Sequence, residues 1–117
     1  MDLESYRIIR KLKARVPKDF ATIVVVHPCN TYGVNDYQIG CCRSKSTPPT
    51  YREADPHWEF NLTWGKEYPM VVRQPDGSHA EIRNDRTVLR TPDNLIDFIV
   101  DVLSHDRIPE TYGPALI

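Results

Sequence analysis

Three residues in the first half of the chain carry side chains that could bind a metal or act in nucleophilic catalysis. His27 and Cys29 lie two residues apart in a β-branched run, so both side chains point to one face of a strand. If that strand forms a hairpin across residues 30–36, a register with Cys41 opposite Val25 adds Cys41 to the same face. Imidazole and thiolate groups gathered there could bind zinc, or the imidazole could activate a thiolate nucleophile.

The simpler interpretation of the cysteines is structural. Free cysteine is among the most buried residue types, and Cys29 and Cys41 both lie in predicted strands. The neighbouring Cys42 points to the face opposite Cys41, so the two thiols cannot serve one site. The sequence has no fourth ligand at the spacing of a zinc motif. We therefore expect buried thiols with no metal and no cofactor, and keep a Cys/His site as the alternative.

Two other groups of titratable residues are candidates for acid–base chemistry. His57 ends a long proline-containing loop, residues 44–57, where a histidine is ordinarily exposed to solvent. As a general acid or base it would need a substrate pocket, which no sequence feature indicates. Asp97 and Asp101 are one turn apart on a predicted helix, but on its polar face. We expect these two carboxylates to be solvated.

An aromatic stripe provides the best sequence-based candidate for a ligand pocket. Trp58, Phe60 and Trp64 alternate with polar residues and therefore share one face of a strand. Such a stripe ordinarily belongs to the core. Two tryptophans are nevertheless a large area for a small domain, so a surface cleft lined by Trp58 or Trp64, with Tyr51 and Tyr68 at its rim, is the alternative.

The first predicted helix carries a basic surface that could contact an acidic partner. Residues 1–20 contain six basic and three acidic residues, a net charge of +3, whereas residues 93–110 contain five acidic residues and one arginine, a net charge of −4. Opposed faces of this kind are ordinarily solvated, but they could also attract one another within one chain or across a two-fold dimer. The net charge of the whole chain is −1, which disfavours nucleic acid as a partner. The candidate partner-binding residues are Arg7, Arg10, Lys11 and Arg15.

The hydrophobic pattern distributes these residues over two helices and five strands. The chain has 117 residues, the size of a single domain. Residues 3–16 form one helix, whose apolar arc includes Tyr6 and which Pro17 ends; Thr91 and Pro92 begin the other. Periodicity and turn residues predict strands over 21–29, 37–43, 58–64, 68–73 and 79–83, with a short sixth strand over 86–90 as an option.

This order predicts an α+β fold with an antiparallel meander and both helices packed on one face of the sheet. The β-branched run Ala21–Cys29 predicts a central, buried strand. Gln74-Pro75-Asp76-Gly77 predicts a tight turn. Residues 107–117 predict an extended tail, whose apolar end could pack across a second copy of the chain.

These features favour a small non-catalytic protein-interaction module of an accessory, inhibitor or immunity type, with a protein partner or a second copy of itself. The alternative is a small-molecule-binding protein or a Cys/His-dependent enzyme that uses the face of His27, Cys29 and Cys41. Three cysteines, an odd number, predict a reducing, cytoplasmic setting. The sequence contains no apolar run long enough to span a membrane and no pattern of a signal peptide.

Overall fold

The computed structural model of the chain describes residues 3–29, 34–43, 56–63, 70–82, 92–109 and 115–116. Two helices and six strands occupy these ranges. Their bounds are α1 (Leu3–Arg15), β1 (Ala21–Cys29), β2 (Val34–Cys42), β3 (Trp58–Thr63), β4 (Met70–Arg73), β5 (His79–Ile82), α2 (Pro92–His105) and β6 (Ala115–Leu116).

The strands form one antiparallel sheet in the order β1-β2-β3-β4-β5-β6, which confirms the predicted meander. The sixth strand comes from the predicted tail, since Ala115 and Leu116 pair with Glu81 and Ala80 of β5. The backbone of these two tail residues thus pairs within its own chain. The optional strand over 86–90 lies outside the described residues.

Both helices cover the same face of the sheet, as predicted, because alternate strand residues on that face are apolar. On β3, Trp58, Phe60 and Leu62 are buried, and Glu59 and Asn61 between them are partly exposed. The core of this layer also contains Ile8, Leu12, Tyr37, Ile39, Cys41, Met70, Val72, Ile82, Leu95, Ile96, Phe98, Ile99, Val102 and Leu103.

Polar and aromatic contacts fix the position of each helix over the sheet. The Ser5 hydroxyl of α1 shares a buried hydrogen bond of 2.6 Å with the Tyr37 hydroxyl of β2. The ring of Phe98 on α2 meets the edge of Phe60 on β3, with centroids 6.0 Å apart. Thus α1 lies over the β1–β2 side of the sheet, where it also contacts β1, and α2 lies over β3.

The β4–β5 turn forms as its sequence predicts. The amide of Gly77 donates to the carbonyl of Gln74 at 2.9 Å, and the backbone of Gly77 has a φ of 89°. Proline sets φ at the second position of such a turn, and glycine adopts a positive φ at little steric cost. The Asp76 carboxylate accepts hydrogen bonds from the amide and hydroxyl of Ser78, which complete the turn.

Two expectations for the first hairpin are wrong. The strand β1 is not central but lies at the edge of the sheet. Its partner β2 begins at Val34 instead of Tyr37, so the hairpin is tighter and Cys41 pairs with Thr22, not with Val25. The register therefore differs by three residues, and because an odd shift exchanges the two faces of a strand, the change moves Cys41 to the other side of the sheet.

Candidate functional site

The three residues of the predicted Cys/His cluster do not converge. In the observed register His27 pairs with Asp36 on the open face of the sheet, whereas Cys41 points towards the helices. Cys29 lies at the end of β1, opposite Val34. Among the described residues, no group of three or more His, Cys, Asp or Glu side chains is placed to hold a metal ion.

The Cys41 thiol is sealed in the core. It is 0% exposed, and burial raises its pKa far above the ordinary value for cysteine, with a smaller contribution from the adjacent Cys42. Cys42 is also buried, and neither residue forms a disulfide. Because the thiolate is the reactive form of cysteine, Cys41 is inert where it lies.

The open face of the sheet contains a shallow polar depression around His27. Residues opposite one another on β1, β2 and β3 form a row across this face: His27, Asp36 and Thr63. The Thr63 hydroxyl donates to the Asp36 carboxylate at 2.6 Å. The depression has a volume of about 410 Å³, and its other lining residues are Tyr37, Gln38, Asn61, Leu62 and Val71. This surface can form hydrogen bonds, and no thiol is among its described lining residues.

A second polar cluster surrounds Asp106, immediately after α2. Its Oδ1 accepts a hydrogen bond from the Trp58 indole nitrogen at 2.9 Å, and Nε2 of His57 lies 3.1 Å from the same oxygen. Nη2 of Arg43 lies 3.3 Å from Oδ2. These three groups lower the pKa of the Asp106 carboxyl, the Trp58 hydrogen bond most strongly. The cluster joins the end of α2 to the start of β3.

His57 therefore has a structural partner that its sequence neighbours do not reveal. Besides the contact with Asp106, its amide donates to the Cys41 carbonyl at 3.0 Å, and its ring lies 6.4 Å from that of Phe20. The Arg43 guanidinium lies 4.9 Å above the same Phe20 ring, a cation–π contact. No hydroxyl or thiol in the described ranges is hydrogen-bonded to the His57 ring, so a nucleophile–base pair is not formed there.

One of the two tryptophans predicted to line an aromatic cleft is buried in the core instead. Trp58 is 1% exposed and stacks on Phe60 in the core, with centroids 6.4 Å apart. Its indole nitrogen donates a hydrogen bond to the exposed Asp106. The other three candidates for this cleft, Tyr51, Trp64 and Tyr68, lie outside the described residues.

The opposed charges of the two helices meet within one molecule. Lys11 lies 3.1 Å from Asp93, and Arg15 forms an ion pair with Asp97, so the two helices are bridged side by side. Both pairs are exposed, and such pairs contribute about 0–1 kcal/mol each to stability. Two of the four predicted partner-binding residues, Lys11 and Arg15, are therefore paired with carboxylates of the same chain.

The other two candidates, Arg7 and Arg10, lie on the outward face of α1, which we define as Leu3, Tyr6, Arg7, Arg10 and Ala14. No acidic group with a described side chain forms an ion pair with Arg7 or Arg10. Arg7, Arg10, Lys11 and Ala14 enclose a depression of about 310 Å³. Leu3 is 63% exposed, and Tyr6, which the sequence placed in the apolar arc, is 53% exposed. In the sequence, the exposure of Tyr6 was indicated only by its position at the margin of the apolar arc of α1.

No protein-family model matches the sequence, and no similar protein was found among curated proteins or solved structures. Neither described helix has the length and apolarity needed to cross a membrane. The fold defines a two-layer α+β protein with one helix-covered sheet face.

Proposed function

We propose that the chain is a small non-catalytic protein-binding module of an accessory, inhibitor or immunity type, and that the outward face of α1 contacts an acidic surface of its protein partner. The observation that carries this proposal is the combination of exposed apolar and basic side chains on that face. Leu3 and Tyr6 are the large hydrophobic side chains exposed in the described part of the chain, and Arg7 and Arg10 lie beside them.

The chemistry of this face suits a protein partner. An arginine can donate two parallel hydrogen bonds to a carboxylate, and tyrosine and arginine are enriched among residues that dominate binding energy. The depression above Ala14 is lined by the stems of Arg7, Arg10 and Lys11, so it could accept an apolar side chain between the charges. Lys11 is already paired with Asp93, which leaves Arg7 and Arg10 as the principal charged contacts.

The positions of the candidate catalytic groups support a non-catalytic role. The Cys41 thiol is inaccessible, His57 is held by Asp106, and His27 lies on the opposite side of the sheet from Cys41. The proposal includes a cytoplasmic location, which the free thiols of Cys41 and Cys42 support.

Selection from a displayed library of random peptides tests the proposal. Peptides enriched on the native chain should be rich in Asp and Glu around an apolar residue, and the double variant Arg7→Glu/Arg10→Glu should bind them at least about tenfold more weakly, because each guanidinium would become a repelling carboxylate. The matched control is Lys18→Glu, another exposed basic residue, which lies beyond the helix. Its affinity should stay within about twofold of the native value.

Three results would contradict the proposal. The first is enrichment of peptides without acidic residues. The second is equal binding by the native chain and the double variant. The third is tighter binding of single-stranded DNA or RNA than of any peptide, with a steep decrease as salt rises, which would assign the same arginines to phosphate recognition.

The open-face depression supports a second candidate function, the binding of a small polar molecule. Its volume of about 410 Å³ lies in the range of ligand sites, and His27, Gln38, Asn61 and Thr63 supply donors and acceptors. A compound that raises the Tm of the native chain, and does not raise that of His27→Ala or Asn61→Ala, would support this function. If a broad panel of polar metabolites leaves the native Tm unchanged, the depression is not such a site.

A further inference from the structure

The first strand combines an edge position with the composition of an interior strand. β1 has nine residues, and Ala21–Val26 contains no charged side chain and four consecutive β-branched aliphatic residues. No described strand pairs with its outer side. Continuous Val and Ile runs are typical of strands with neighbours on both sides, where backbone and side chains are all covered. In this fold Ile23–Val26 are only partly buried.

The edge of β1 also lacks the features that ordinarily prevent strands from pairing between molecules. Natural edge strands are short, bulged, or protected by lysine or proline. The other edge of this sheet, β6, has two residues. By contrast, the pairing of β1 with β2 runs through nine consecutive residue pairs without a bulge, and its one proline, Pro28, is next to the end. Alternate N–H and C=O groups along the outer side of β1 are therefore presented for pairing.

The flank of α1 on the same side of the molecule carries apolar side chains beside one exposed lysine, Lys13. Arg15 points to α2, with which it forms an ion pair, and Tyr6 is nine residues earlier, about 180° around the helix axis. Tyr6 thus points away from α2. Because α1 lies over β1 and β2, this direction is towards the free edge of β1. The exposed Tyr6 and the partly buried Ile9 extend apolar surface from the sheet edge into the helix layer, and the exposed Lys13 lies between them around the helix.

We infer that two copies of the chain associate through β1, which pairs antiparallel with β1 of a second copy about a two-fold axis perpendicular to the sheet. Opposite residues of an antiparallel pair share a face, so the symmetric register must be centred on one residue. Centred on Val24, it sets Ile23 opposite Val25 and Thr22 opposite Val26. No like charges oppose one another along residues 21–27 of the paired strands. The two six-stranded sheets become continuous, and the two Tyr6 flanks approach each other.

The uncharged, self-complementary sequence of this strand is the reason to assign a second copy and not a foreign strand. A foreign strand would need its own matching apolar edge, whereas the identical strand supplies one, together with the second Tyr6 flank. This inference does not rest on the proposed function. The two surfaces share Tyr6, whereas Arg7 and Arg10 of the outward face remain outside the β1 interface.

Sedimentation equilibrium over about 5 to 500 μM tests the inference, with variants that place a lysine on the edge. Val25→Lys, on the open face of β1, should raise the dimer Kd at least about tenfold, because an edge lysine opposes strand pairing. The matched control is Val71→Lys, because Val71 is also a partly exposed valine on the open face but lies on the interior strand β4. It should dimerise as the native chain does. Circular dichroism and thermal unfolding establish that each variant is folded.

Hydrogen exchange of the native chain keeps the test independent of folding defects in the variants. Amides of residues 21–27 should exchange more slowly at high than at low concentration, while those of residues 70–82 should not change. If Val25→Lys does not fold, Ile23→Lys replaces it, since Ile23 lies on the same face of β1. A native chain that stays monomeric throughout, a dimer unaffected by either lysine, or exchange in β1 that is independent of concentration would each overturn the inference.

Discussion

The labelling rate of Cys41, measured in a folded variant where it is the only cysteine, tests the register of the first hairpin directly. Replacing Cys29 and Cys42 with alanine leaves a single cysteine that is 0% exposed beneath the helices. An aromatic disulfide reagent can reach it only when the fold opens. For a domain stable by about 5 to 15 kcal/mol, every 1.4 kcal/mol reduces the open fraction about tenfold. We therefore expect labelling of Cys41 at about pH 8 to be at least about a thousandfold slower than labelling of the unfolded chain.

The matched control is Ser104→Cys, with the three native cysteines replaced by alanine, because Ser104 is exposed on α2. This thiol should react at nearly the rate of the unfolded chain. The rate for Cys41 should rise with urea concentration in parallel with the unfolded fraction, as measured by circular dichroism. Reaction of native Cys41 within about tenfold of the Ser104→Cys control would refute the reasoning, because it would return the thiol to an accessible face of β2.

Three further predictions concern the contacts that hold the layers and the turn. Asp106→Asn should lower the free energy of unfolding by about 1 kcal/mol at pH 7, a value reduced because the carboxylate is 46% exposed. Since the folded pKa of Asp106 is lowered, this stabilisation is complete above the unfolded pKa of about 3.9 and lost as the pH falls through the folded pKa. Urea titrations at several pH values should therefore show the variant and native chain converging in acid; a constant difference would contradict the prediction. Gly77→Ala should cost about 1 kcal/mol by urea unfolding, entirely from backbone strain at φ 89°, because an added Cβ meets no atom within 4 Å. A double-mutant cycle of Ser5→Ala and Tyr37→Phe should give a coupling energy of about 1 kcal/mol, and additive effects would show that their buried hydrogen bond does not stabilise the helix on the sheet.

Elements with strong local patterns were predicted well. The alternation along β3 identified the buried face as Trp58, Phe60 and Leu62, and Pro92 marked the first residue of α2. The turn from Gln74 to Gly77 was also predicted, because proline and glycine each restrict or permit a specific backbone conformation. In these cases one segment of sequence contains all the groups that determine the structure.

The polar contacts of the Asp106 cluster could not be read from the sequence. Trp58 and His57 are separated from Asp106 by 48 and 49 residues, and only the packing of α2 on the sheet brings them together. A position just after a helix favours Asp, Asn or Gly at a positive φ, and Asp106 has a φ of 51°. That local signal could identify the helix end, but not the side chains that meet there.

The amino-acid sequence by itself determined the order of elements, the covered face of the sheet and the apolar arcs of the helices, because side-chain periodicity follows from local backbone geometry. Only the tertiary structure decided the pairing of the tail with β5 and the register of the first hairpin, which sets Cys41 opposite Thr22. Pairing between strands depends on how tightly the intervening turn closes and on which neighbours compete for each edge. A difference of three residues in register is small in the sequence, but it separates His27 from Cys41 by the full thickness of the sheet.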